Sequence, residues 1–196
     1  SSKAQYFKQK LLEYKQNVII PDLNMGNFTS ITLSKQLQHI YNIVEQCATP
    51  VVMFGSSMGG LTSAIIAEKS PKINKQVLLA PAFKISDLWQ STITPEELSQ
   101  WQNNGEIPVM HYGYNKDVML NYDFYTDLFT HNNINFYRHL PTLIFHGVQD
   151  DVVPIELSRE YKTSHPNAEL VELNDDHSLA ADLDAMWLTV KEFLEL

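Results

Sequence analysis

At 196 residues with 44% hydrophobic content, the chain is long enough to bury a core and lies at the upper end of what a single domain spans. A formal net charge of −9 makes its surface repulsive to polyanions, which argues against nucleic acid or an anionic membrane as partner. A single cysteine, Cys47, excludes an intramolecular disulfide and fits the cytoplasm; no apolar run approaches the roughly 18 residues of a membrane helix, and no signal peptide opens the chain.

Ser2 is placed to cap a first helix in which Ala4, Phe7, Leu11 and Tyr14 share one face, with Lys3, Lys8 and Lys10 pointing elsewhere. Val18, Ile19 and Ile20 predict a short strand ending at Pro21-Asp22. A loop with Asn24, Gly26 and Asn27 then leads to a second helix near Thr32 to Cys47, striped by Leu33, Leu37, Ile40, Tyr41 and Val44, with Cys47 expected in its core.

Pro50 opens the next strand, Val51 to Phe54, which is apolar without alternation, as a central strand buried on both faces should be. A helix-like run from Leu61 to Glu68 follows, and between the two stands Gly55-Ser56-Ser57-Met58-Gly59. A GxSxG pentapeptide at a strand-to-helix turn lifts a serine hydroxyl above the sheet, with the two glycines letting backbones crowd together. Small residues also populate such turns where no chemistry is done. The spacing from both glycines selects Ser57 over Ser56 as the candidate nucleophile, and the backbone N–H of Met58, opening the helix, as a candidate oxyanion donor.

Gln76 to Ala80 is a further buried strand closed by Pro81, and the alternation of strands and helices predicts an α/β fold with a mostly parallel sheet flanked by helices. Residues 84–140 break that rhythm. They hold Trp89, Trp101, Tyr112, Tyr114, Tyr122, Phe124, Tyr125, Phe129, Phe136 and Tyr137 but no strand of sheet-core character, and read as a cap insertion. Within it Thr94-Pro95-Glu96-Glu97 starts a helix that Gly105 stops. The aromatics either pack the insertion together or line a substrate pocket.

The rhythm resumes with a strand at Pro141 to His146, a helix near Ile155 to Ser164, a strand at Glu169 to Leu173 and a final helix near Leu179 to Leu194. Nothing in composition or repeats marks a second domain, so 1–196 is read as one. A serine nucleophile needs a base and a group to orient that base, and parallel sheets place working residues after the carboxyl ends of strands. Two segments meet that demand: His146-Gly147-Val148-Gln149-Asp150-Asp151, where Asp150 or Asp151 could serve as acid or merely cap the next helix, and Asn174-Asp175-Asp176-His177-Ser178. His177 is the best-placed base; His146 is expected to shape its loop, and His39, His111, His131, His139 and His165 lie in helix or insertion contexts.

The order Ser57, Asp150, His177, the HGxxDxxVP pattern with Asp150 at its acid position and the Asp176-His177-Ser178 loop resemble the α/β-hydrolase superfamily, most closely small bacterial hydrolases of the YqiA/YcfP type. The resemblance covers nearly the whole chain. It implies an α/β-hydrolase fold and a serine hydrolase cleaving carboxylic esters or thioesters, with a small carboxylesterase or acyl thioesterase favoured by the aromatic insertion. In such proteins an apolar strand and an HG-containing loop, the source of a second oxyanion donor, come first; neither is present here. We expect residues upstream of Ser1 in the natural protein, or else a fold that departs from its family, which direct pairing of the Val18 and Val51 strands would indicate. The implied partner is a small-molecule acyl ester or thioester, with no cofactor and, for lack of HExxH or comparable spacing, no metal. The same residues would serve an acyltransferase or peptidase, and a catalytically silent binding or regulatory protein is the alternative of a different class.

Overall fold

The computed structural model describes residues 2–111, 116–132 and 134–196. Its centre is a parallel sheet of four strands in the order β1 (Val51–Ser56), β2 (Ile73–Leu79), β5 (Thr142–Gly147) and β6 (Ala168–Leu173). Alternation decides which side chain faces which layer, since successive residues of a strand point to opposite faces. Val77, Leu79, Leu143 and Phe145 point toward α1 (Ser2–Glu13) and α8 (Leu183–Leu194), where they meet Phe7, Leu11, Met186, Trp187 and Val190. Leu78 and Ile144 point the other way, against Tyr161 of α7 (Glu156–Ser164). On that second face α2 (Leu33–Gln46) and α3 (Met58–Lys69) contribute Leu33, Leu37, Ile40, Leu61, Ile65 and Ile66 to the largest cluster. Burial of each such aliphatic chain contributes about 1.5–3 kcal/mol.

Thr32 caps α2 through its side chain and Cys47 ends it, half-buried at the C-cap and not in the core as expected. The segment Val18 to Ile20 forms no strand: Ile19 is 57% exposed and only Val18 of the three packs against the core. An apolar triplet without a neighbouring strand has nothing to satisfy its backbone groups except water, so the local propensity is overruled. It does not pair with β1. Among the described residues β1 therefore has β2 on one side and no strand on the other, and all six of its positions are half-buried. The expectation of a strand enclosed on both faces is corrected accordingly: its apolar sequence does not suffice where no element covers the open edge.

The insertion contains α4 (Ile85–Thr92), α5 (Pro95–Asn104), the antiparallel strands β3 (Glu106–His111) and β4 (Lys116–Asn121), and α6 (Tyr122–Phe129). Thr94 and Glu97 form a reciprocal capping box and Gly105 takes the left-handed conformation at φ 78°, as the sequence predicted for start and stop. The hairpin was not foreseen; it forms a second, separate sheet. Trp101 is the insertion's fully buried centre, donating its indole N–H to the Leu120 carbonyl at 2.9 Å and touching Trp89, Tyr122 and Tyr125. Most of the described aromatics thus pack on one another; Tyr112 and Tyr114 lie outside the described residues.

Polar contacts at several places fasten the insertion to the body, two of them around α2 and α3. Asp127 of α6 accepts the Ser34 backbone N–H at the start of α2, at 2.8 Å. Arg138 donates to the carbonyls of Ala67, Ser70 and Ile73, closing the C-terminal end of α3, while Glu68 accepts the N–H groups of Tyr137 and Arg138. The final helix starts later than expected, at Leu183 behind the Asp182 cap, because Leu179 is buried in a left-handed conformation at φ 47° and turns the chain first.

Candidate active site

Because all four strands of the main sheet run parallel, the loops after β1, β5 and β6 emerge at the same edge, and these carry Ser57, Asp150 and His177. Ser57 sits at φ 55°, ψ −122°, a backbone region that costs a non-glycine residue about 1–3 kcal/mol and persists only when over-determined. The constraints are visible. Its N–H continues the ladder to the Leu79 carbonyl at 2.8 Å, and its own carbonyl accepts from Gly60, Leu61 and Ala82. A Cβ on Gly55 would collide with the Gly59 carbonyl and the Ser63 hydroxyl, and one on Gly60 would lie 2.8 Å from Pro81. Gly59 differs from expectation: a Cβ there meets nothing within 4 Å, so the crowding falls on Gly55 and Gly60. Met58 is the first residue of α3, with its N–H among those a helix leaves without an internal partner.

The acid and histidine loops are joined directly. Asp150 Oδ2 accepts from His177 Nδ1 at 2.7 Å, and Asp150 Oδ1 accepts the N–H groups of Val152 and Val153 at 2.9 and 2.8 Å. This one carboxylate braces its own loop and meets the His177 ring, and it does not cap the next helix, the alternative weighed from the sequence: α7 starts behind Ile155 without a side-chain cap. Its side chain is fully buried while that of His177 is 24% exposed, so the carboxylate is sheltered and the imidazole is open on one side. With Nδ1 donating to a carboxylate, Nε2 is left as the basic nitrogen. Asp151 is exposed, and the contact to His177 is made by Asp150.

Further groups complete the setting, of which the sequence pointed to His146 and Asp176 as shaping their loops and did not mark Gly147 or Lys3. Gly147 lets the histidine loop lie on the end of β5, since a Cβ there would strike the carbonyls of Asp175 and Asp176; Val148 and Gln149 then donate to the Leu173 and Asp175 carbonyls. Asp176 accepts from the N–H and hydroxyl of Ser178, bonds that hold its carboxyl below the usual range. Lys3, assigned away from the apolar face of α1, reaches over the same loop and donates to the Ser178 carbonyl at 2.5 Å. Burial pushes its ammonium below the ordinary lysine value, against the pull of Asp175, Asp150 and Asp176. His146, at the end of β5, is fully buried and touches Asp150 as well, at 3.2 Å from Nε2 to Oδ2. The one available signal for this was its spacing of four residues from Asp150.

His165 is buried and stacked on Tyr161 with ring centroids 3.9 Å apart; His131 contacts Ser34 and Asp127 where α6 meets α2. Both are removed from the strand-end loops. Two shallow clefts lie on the insertion, one of about 360 Å³ lined by Trp89, Ile93, Ile107 and Pro108, and neither includes Ser57, Asp150 or His177. Among the described residues no cluster of three or more His, Cys, Asp or Glu is arranged to hold a metal ion, and no helix is long and apolar enough to cross a membrane.

The fold is shared with known hydrolases. Alpha/beta hydrolase domain-containing protein 10 from mouse superposes with a TM-score of 0.71 at 19% identity, over 87% of this chain and 72% of that one. Est1E from Butyrivibrio proteoclasticus, solved with ferulic acid bound, gives 0.69 at 25% identity over 87% and 70%. A pyrethroid hydrolase from Sphingobium faniae gives 0.68 at 15% identity over 99% and 92%. No curated protein sequence matches. The family described as "Uncharacterised protein family (UPF0227)" matches residues 1–195.

Proposed function

Since the chain belongs to the UPF0227 family and has the α/β-hydrolase fold, we propose that it is a serine hydrolase that cleaves carboxylic esters or thioesters through an acyl-enzyme on Ser57. The observation that carries this reading is the Asp150–His177 contact of 2.7 Å on the same strand-end edge as a serine held in a strained elbow. We read the chain as one domain, with residues 84–140 as the cap that selects the substrate.

In this reading His177 Nε2 takes the Ser57 proton as Oγ attacks the acyl carbonyl. Asp150 fixes the Nδ1–H tautomer and stabilises the imidazolium that forms. The Met58 N–H donates to the developing oxyanion at the positive end of α3, a kind of contact worth about a hundredfold to a thousandfold in rate. Collapse of the tetrahedral intermediate passes the proton from His177 to the leaving oxygen or sulfur. Water, deprotonated by the same nitrogen, then releases the acid and frees Ser57.

The binding of ferulic acid by Est1E supports a carboxylic acid as the released product. The test is labelling of the purified protein with a fluorophosphonate, followed by a chain-length series of p-nitrophenyl esters and acyl thioesters. Covalent labelling that disappears in Ser57→Ala is expected, with turnover lost in His177→Ala. Labelling that survives Ser57→Ala overturns the assignment.

A further inference from the structure

Behind Asp150 lies a second histidine that the proposed chemistry leaves unused. His146 ends β5 with its ring fully buried, and both nitrogens are engaged. Nε2 lies 2.9 Å from the Val153 carbonyl and 3.2 Å from Asp150 Oδ2; Nδ1 lies 2.7 Å from the hydroxyl of Ser158, also fully buried, on α7.

Donor and acceptor counting fixes the protonation state. A carbonyl oxygen can only accept, so Nε2 must carry the hydrogen and donate it to Val153, with the Asp150 carboxylate in polar contact at the edge of that N–H. Among the described residues the Ser158 hydroxyl meets no acceptor other than Nδ1. Were Nδ1 protonated, Ser158 would have to accept from it and leave its own hydrogen unpaired in a site closed to water, a state that costs stability. A neutral Nε2–H ring with Ser158 donating to Nδ1 satisfies every group.

We propose that His146 and Ser158 form a buried positioning pair: Ser158 locks His146 as the neutral Nε2–H tautomer, and His146 holds Asp150 Oδ2 in line with His177 without neutralising the carboxylate. This rests on the reading that Asp150 orients His177 as base. The distinction matters because a cationic His146 would pair with Asp150 and weaken its hold on His177, whereas a neutral donor steers the carboxylate and leaves its charge available. The pair also explains why a serine sits in the buried face of α7, where an apolar residue would otherwise be favoured. Charged groups around it come from three sides. Glu172 stands opposite His146 on β6 and is paired with Arg159 of α7; Lys3 of α1 and His177 face Asp150.

The experiment has two arms. In the first, nitrogen-15 NMR of the wild-type histidines at neutral pH reads the tautomer of His146 directly, assigned by its loss in His146→Gln. An Nε2–H signature is expected, with Ser158→Ala shifting protonation of Nδ1 to higher pH. In the second, pH profiles of kcat and KM are compared for His146→Leu and His146→Gln. Removing the donor leaves more negative charge on Asp150 toward His177, favours the imidazolium and moves the acid limb to higher pH. His146→Leu is expected to lose about tenfold in kcat with little change in KM, at the low end of what a polar contact to a charged group contributes. His146→Gln, whose amide can replace the Nε2 donor, restores the limb and part of the loss. An Nδ1–H or doubly protonated His146 in the wild type, or a folded His146→Leu with an unshifted acid limb, overturns the proposal. The NMR arm needs no turnover, so it is decided separately from the Ser57 labelling on which the hydrolase reading depends.

Discussion

The serine side and the acid–histidine side of the strand-end edge are held by different physics. Ser57 is held almost wholly by backbone: a strained torsion fixed by the β2 ladder, three N–H groups on its own carbonyl, and glycines that allow backbones to touch. Asp150 and His177 are held by side chains, through a buried carboxylate just past β5 that accepts from two amides and the His177 imidazole and lies in polar contact with His146. The surroundings differ in the same sense, β1 being half-buried along its length and β5 buried at every position. The candidate nucleophile thus stands on a sparsely covered strand with its torsion over-determined, while the candidate acid–base pair joins a fully buried carboxylate to an imidazole open on one side.

Asp150→Asn should give the largest effect on the acid–histidine side. The amide can present a donor to His177, the wrong tautomer results, and kcat is expected to fall by about 10⁴, as seen when a triad aspartate is so replaced; steady-state kinetics on the best ester of the series checks it. A loss under tenfold would mean that Asp150 only shapes its loop.

On the serine side the matched pair Gly55→Ala and Gly59→Ala separates the two motif glycines. The first forces a Cβ into the Gly59 carbonyl and is expected to cost about 3 kcal/mol or more. The second adds a methyl in open space on a helix, and is expected to be neutral or to stabilise by up to about 1 kcal/mol. Chemical denaturation of both variants reads the contrast, and equal losses would contradict the elbow packing described above.

Arg138→Met should cost less than Gly55→Ala. It removes the donors that close α3 behind the elbow, at a cost of about 1–3 kcal/mol, with the ester-series KM little altered. Unchanged stability would show that water replaces the guanidinium without loss.

Much of this site was legible because its signals are local. GxSxG between an apolar run and a helix marks Ser57, and Asp150 and His177 follow strands whose apolar composition is clear. Thr94 and Gly105 punctuate α5 by chemistry that needs only neighbours in sequence. Other features were hidden because they depend on residues far apart. Val18 to Ile20 has strand composition and finds no strand to pair with, and the apolar β1 remains half-covered for the same reason. Gly59 was read as crowded when Gly60 is, because the crowding comes from Pro81, some twenty residues later.

The sequence by itself determined the α/β alternation and the ends of the elements that carry their own caps, set by period, composition and turn chemistry over a few residues, and it put forward Ser57, Asp150 and His177 as candidates in that order. Tertiary structure alone decided that Lys3 reaches the histidine loop across 175 positions and that Arg138 closes the helix behind Ser57. Hydrogen bonds of that kind are chosen by where burial removes water, and burial is a property of the assembled layers and of no single segment.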